Sequence, residues 1–174
     1  TADGRAEETT LTVLPDLRSQ VRAADLEAQQ VFALDLRAQL DRAVADGATL
    51  ISEGERKGAF FPPGVLTGVS PDSDSYREEL FGPVATVYKA GSEDEAVALA
   101  NDTPFGLGSY VFTTDPEQAK RVADKIDAGM VYVNLVGADG VELPFGGVKR
   151  SGFGRELGRF GIDEFVNKKL IRIG

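Results

Sequence analysis

Apolar residues in the first part of the chain recur at helical rather than strand spacing. Leu34, Leu36, Leu40, Val44 and Leu50 punctuate a run of good helix formers. This spacing predicts a helix over 33–46, with Gly47 placed to end it in a left-handed cap. Residues 1–30, acidic and rich in Ala and Gln, read as a further helical segment without an assigned role. Two later helices are marked by their start signals. Ser92 with Glu95 three residues on forms a capping-box pattern ahead of Ala96, Val97, Leu99 and Ala100. Asp115-Pro116 supplies an N-cap and a first-turn proline ahead of Ala119, Val122, Ala123 and Ile126, and Gly129 is placed to close that helix.

Short runs rich in β-branched and aromatic residues, at 84–88, 109–113, 130–133 and 165–173, read as strands. Strands alternating with helices build β-α-β units, so the fold class is α/β: a parallel-type sheet with flanking helices and right-handed crossovers. Residues 134–153 break this rhythm. Glycines at 137, 140, 146, 147 and 152 and the lone Pro144 make a loop-like stretch after a strand, and ordered loops in that position commonly line sites.

Composition narrows the function. A length of 174 residues suits one core, and 42% apolar with 27% charged residues is ordinary for a soluble globular protein. No apolar run approaches the ~20 residues of a membrane span, and no basic-then-apolar leader opens the chain, so a cytoplasmic address and no membrane partner are expected. The absence of Cys and His rules out disulfides, thiolate zinc sites and histidine acid–base chemistry, and no metal is expected. A net charge of −9 argues against a nucleic-acid partner. That charge is uneven. Residues 142–174 carry seven Lys/Arg against four Asp/Glu, a net +3, leaving −12 on the rest. The basic tail is either solvated surface or a site for anions or another subunit.

Three stretches stand in a telling order: Glu78-Glu79-Leu80-Phe81-Gly82-Pro83, then Pro144-Phe145-Gly146-Gly147-Val148-Lys149-Arg150-Ser151-Gly152, then Gly154-Arg155-Glu156-Leu157-Gly158. With Asn101-Asp102-Thr103-Pro104-Phe105-Gly106-Leu107, Val111-Phe112-Thr113 and Val133-Asn134 between them, the chain from about Leu40 to Ile173 resembles the C-terminal catalytic-domain portion of aldehyde dehydrogenases. The tail wording is most similar to the succinate-semialdehyde dehydrogenase branch. The resemblance implies a domain over 31–174, with residues 165–173 as an oligomerisation strand. It also implies NAD or NADP as cofactor, an aldehyde as substrate, and association into a homo-oligomer or with full-length subunits.

In that family a thiolate attacks the aldehyde carbonyl and holds the thiohemiacetal while hydride leaves for the nicotinamide. This sequence has no cysteine. The resemblance therefore implies a truncated dehydrogenase, inactive as this chain, whose cofactor domain and cysteine-bearing segment would lie upstream. The alternative is a non-catalytic nucleotide-binding or subunit-association module. By resemblance, Glu79 accepts hydrogen bonds from the ribose beside the nicotinamide and Phe81 packs by the ring; taken alone, Glu78-Glu79 also reads as an exposed pair of like charges. Phe145 matches the mouth of the substrate tunnel. Asp139 aligns where relatives use a serine toward a distal carboxylate, which its negative charge would repel. Glu156 matches a glutamate that assists proton passage behind the base, or else forms an ion pair with Arg155 or Arg159 at the start of a short helix.

Overall fold

In the computed structural model, residues 26–137 and 140–174 are described, and the chain divides into two compact units between Thr103 and Pro104. The first unit opens with helix α1, Leu26–Ala45, which starts two turns earlier than its apolar spacing suggests. Its inward stripe is Ala33, Leu36, Leu40 and Ala43, all buried, whereas Leu34 and Val44 are exposed. Two small alanines thus lie where larger residues were expected. The helix ends as anticipated: Gly47 has φ +102°, its N–H donates to the Val44 carbonyl and the Ala48 N–H to the Ala43 carbonyl, the paired bonds of a Schellman cap.

Strand β1, Thr49–Ser52, pairs antiparallel with β2, Gly64–Thr67, and β2 pairs parallel with β3, Val84–Val87. The first two strands are not among those read from the sequence, being four residues each without strict alternation. A 3-10 turn at Asp74–Tyr76 lies on the β2–β3 connection. Leu36, Leu40, Ala43, Leu66, Leu80 and Val84 form the centre of the core, with Leu40 and Leu66 fully enclosed. Helix α2, Glu93–Asn101, follows the expected cap: Ser92 Oγ accepts from the Glu95 N–H at 3.2 Å, while Glu95 Oε2 accepts from the Gly91 N–H at 2.6 Å.

In the second unit β5, Gly108–Val111, crosses through α3, Pro116–Lys125, to β6, Met130–Val133, which pairs with β5 in parallel. This is the β-α-β unit the sequence announced, with Asp115 Oδ1 capping the Glu117 N–H at 2.9 Å. Tyr110 and Tyr132 stack across the pair, ring centres 5.4 Å apart. Beside it β4, Phe105–Gly106, pairs antiparallel with β7, Val148–Lys149, and α4, Gly158–Asp163, follows. The fold is α/β, with antiparallel as well as parallel pairs. Among the described residues no helix is long and apolar enough to cross a membrane.

Two expectations are corrected. Residues 165–173 form no strand in the single chain, and Phe165, Leu170 and Ile173 are 84%, 91% and 90% exposed. A strand exists only through its ladder, and among the described residues no strand pairs with that segment. Gly129 does not cap α3, which ends when Ile126 turns into extended backbone. Instead a Cβ on Gly129 would overlap the Gly146 carbonyl and come within 2.9 Å of Gly147 Cα. Glycine is there so that two backbones can touch.

Because the obstacle is backbone, Gly129→Ala should destabilise the second unit by about 3 kcal/mol or more, at the upper end of overpacking effects. Gly108→Ala, whose Cβ would meet Met130 Cε at an ordinary 3.8 Å, should leave stability within ~1 kcal/mol. Chemical denaturation followed by circular dichroism separates the two; equal midpoints would refute the close-approach account.

Candidate functional site

The loop Glu78-Glu79-Leu80-Phe81-Gly82-Pro83 lies between the 3-10 turn and β3, and its side chains alternate. Glu78 is half-buried, Glu79 exposed, Leu80 buried and Phe81 exposed. Glu79 and Phe81 are thus exposed on either side of the buried Leu80, and the Gly82 N–H donates to the Leu80 carbonyl at 2.8 Å in a three-residue turn about Phe81. The inner face is occupied by α1. Arg42 Nη2 donates to both Glu78 carboxylate oxygens, at 3.0 and 2.9 Å. Gln39 Nε2 donates to the Glu79 carbonyl at 3.1 Å. Leu36 lies so close to Gly82 that any Cβ there would overlap its Cδ2. One face of the Phe81 ring leans on Phe32, centroids 6.1 Å apart and planes tilted 39°. The Glu79 carboxylate has no protein partner among the described residues.

The approach to this loop is set by a second polar cluster. Tyr76 Oη donates to Asp102 Oδ2 at 3.0 Å, Arg77 Nη1 donates to Asp102 Oδ1 at 2.6 Å, and the Arg77 guanidinium lies over the Tyr76 ring. Tyr88 meets Tyr76 edge-on at 5.6 Å. Burial, then the hydrogen bond and charge of Asp102, push the Tyr76 phenol up, against the opposing Arg77 charge. Burial also pushes Tyr88 up to about 12, with Tyr76 adding to the effect.

In the second unit the structure brings Phe145 and Glu156 together through their backbones. The Phe145 N–H donates to the Glu156 carbonyl at 2.8 Å and the Glu156 N–H to the Phe145 carbonyl at 2.7 Å. Arg155 Nη1 donates to the carbonyls of Gly147 and Gly154, at 2.9 and 2.6 Å, and the Gly158 N–H donates to the Val141 carbonyl at 2.8 Å. The PFGG loop and the GRE turn are therefore one hydrogen-bonded body. Leu157, next to Glu156, sits at φ +61°, ψ 177°, a region nearly reserved for glycine that costs about 1–3 kcal/mol. The two flanking backbone bonds hold it there. The Glu156 side chain is exposed, and its pairing with Arg155 or Arg159 is not formed: Arg155 is spent on carbonyls and Arg159 lies over the Phe160 ring. Phe145 is 37% exposed. Asp139 lies outside the described residues.

A loop-entry residue completes this unit. Asn134, at φ +55°, accepts from the Thr113 N–H through Oδ1 at 3.0 Å and donates to the Thr113 carbonyl through Nδ2 at 2.8 Å. Its side chain adds one further rung beyond the β5–β6 ladder. Sequence reasoning missed this role, and missed Gln39 and Arg42, which act across forty and thirty-six residues where no local pattern signals them. Only the Asn before a glycine-rich loop offered a hint.

Comparison with known proteins shows the family. A sequence model of the aldehyde dehydrogenase family matches residues 11–171. The NADP(+) succinate-semialdehyde dehydrogenase of Deinococcus radiodurans is 53% identical over 154 residues, 87% of this chain and 32% of that protein. Among solved structures, succinic semialdehyde dehydrogenase from Streptococcus pyogenes in complex with NADP+ matches with a TM-score of 0.77 at 42% identity, over 85% of this chain and 32% of that one. Betaine aldehyde dehydrogenase from Staphylococcus aureus in complex with NAD+ matches with a TM-score of 0.72 at 38% identity, over 78% and 28%. The chain spans about a third of the length of the curated relatives it matches.

The tyrosine pair gives a pH signature. Its native-state phenols hold their protons more tightly than an unfolded tyrosine near 10.0, so stability present below that pH should be lost as pH rises toward about 12. Tyr88→Phe should flatten this fall without altering the neutral-pH fold. Urea midpoints across that alkaline window measure it, and an unchanged slope in the variant would count against the assignment.

Proposed function

We propose that this chain, which belongs to the aldehyde dehydrogenase family, supplies the C-terminal catalytic-domain part of an NAD(P)-dependent, succinate-semialdehyde dehydrogenase-like enzyme that oxidises an aldehyde to a carboxylic acid. The observation that carries the reading is the outward pairing of Glu79 and Phe81. An exposed carboxylate without a partner among the described residues, two positions from an exposed aromatic ring, fits a ribose with two adjacent hydroxyls beside a planar ring. The nicotinamide, when bound, supplies the hydride acceptor. Glu79 fixes the ribose and hence the ring; Phe81 limits where the ring can lie. Phe145 borders the substrate path, and Glu156 passes a proton outward.

The 174-residue polypeptide contains no thiol to capture a carbonyl, and its serines have no histidine base. By itself it should reduce neither NAD nor NADP with succinate semialdehyde or simple aliphatic aldehydes. Absorbance of the reduced nicotinamide reads this directly, and turnover that exceeds a heat-killed control after repurification would overturn it.

Cofactor affinity of the polypeptide alone should be low. Hydrogen bonds to a charged acceptor bring ~1.5–3 kcal/mol each, against ~4–15 kcal/mol for immobilising a ligand, so dinucleotide binding should be millimolar or weaker. What binding remains should fall on Glu79→Gln, measured by ligand-observed NMR. Micromolar affinity, or affinity indifferent to that substitution, would exclude the ribose reading.

The exposed apolar tail supports a second role, contact with other subunits, as a homo-oligomer or with full-length chains. Light scattering should show a dimer or larger species; a clean monomer over a wide concentration range would contradict this.

A further inference from the structure

We propose that Arg42 and Gln39 of α1 are positioning residues for Glu79, selecting which of two adjacent carboxylates is presented to the cofactor and fixing the backbone that carries it. The proposal rests on the reading of Glu79 as the ribose acceptor. Residues 78–82 run antiparallel to α1: Glu78 lies against Arg42, the Glu79 carbonyl against Gln39, Gly82 on Leu36 and Phe81 against Phe32.

A helix offers a neighbouring loop no ladder, so backbone groups that no turn satisfies need side-chain partners. Gln39 supplies one at the residue that matters, through its 3.1 Å bond to the Glu79 carbonyl. Arg42 supplies selection. It engages both oxygens of Glu78 and leaves the next carboxylate without a partner among the described residues. With side chains 51% and 32% exposed, this ion pair adds little to stability. Its effect is geometric: it holds the inner side of the loop so that the outer side has one orientation.

The experiment uses nicotinamide riboside, which carries the ribose and ring without phosphates, titrated onto the 174-residue chain by ligand-observed NMR. Glu79→Gln should weaken binding. Arg42→Gln and Glu78→Gln should each weaken it roughly threefold or more, and the double variant no further than either single one. Melting temperatures should move by only a few degrees. The two single variants change local charge in opposite directions, and the probe is a cation, so Coulomb attraction alone would strengthen binding in one and weaken it in the other. Gln39→Met, which keeps the stem and loses the donor, provides a third variant should either ion-pair variant fold poorly. If Glu79→Gln weakens binding while the Arg42, Glu78 and Gln39 variants bind like wild type, or the Arg42 and Glu78 variants shift in opposite directions, the positioning role is overturned and the ribose reading survives. If Glu79→Gln changes nothing, both fall.

Discussion

The burial of Leu80 is the constraint from which the first unit's site follows. Leu80 is 7% exposed and shares one apolar cluster with Leu36 and Leu40. Burying a leucine contributes about 1.5–3 kcal/mol, whereas an exposed ion pair such as Arg42–Glu78 contributes at most about 1. The apolar contact therefore fixes the register, and the polar contacts refine it. Slipping the loop by one residue would expose Leu80 and turn Glu79 inward, where an uncompensated carboxylate is costly. The alternation that faces Glu79 and Phe81 outward is a by-product of packing one leucine.

The second unit is held together by a different route. It has few buried side chains, and its loop is held by backbone meeting backbone. Gly129, Gly146 and Gly147 allow contacts that any Cβ would block, with the Gly154 carbonyl 2.6 Å from where a Gly146 Cβ would stand. The Phe145–Glu156 bridge and the carbonyl bonds of Arg155 then join the two motifs. Such an arrangement trades side-chain packing for hydrogen bonds, each worth about 1 kcal/mol net but costly to leave unmade once water is excluded. The strained Leu157 is sustained only because its neighbours on both sides are tied down.

Much of this was legible in the sequence. Helix starts at Ser92 and Asp115 and the stop at Gly47 were readable because each is a local hydrogen-bonding rule with its own residue types. The β-α-β unit from 108 to 133 showed because both strands are rich in β-branched and aromatic residues. Strands β1, β2, β4 and β7 did not show: they are two to four residues long and owe their existence to partners. The same reason explains residues 165–173, where high β propensity produced no strand in the absence of a ladder. Family motifs singled out Glu79, Phe81, Phe145 and Glu156, but could not show that Arg42 and Gln39 bond to the loop at Glu78 and Glu79. The purpose of Gly129 was likewise misread, since a glycine needed for close approach looks in sequence like one needed for a turn.

Asn134 illustrates how tightly a single side chain can be specified. Its position demands an acceptor and a donor held as a peptide group would hold them, on a backbone at φ +55°. Aspartate keeps the acceptor and loses the donor, glutamine reaches too far, and glycine takes the torsion but offers neither group. Age alone can make the first of these changes, because asparagine loses its amide to hydrolysis without any enzyme. One nitrogen replaced by oxygen would set a carboxylate against the Thr113 carbonyl and open the sheet at the mouth of its loop. A one-dalton gain in mass at this residue would therefore coincide with loosening of the β5–β6 end.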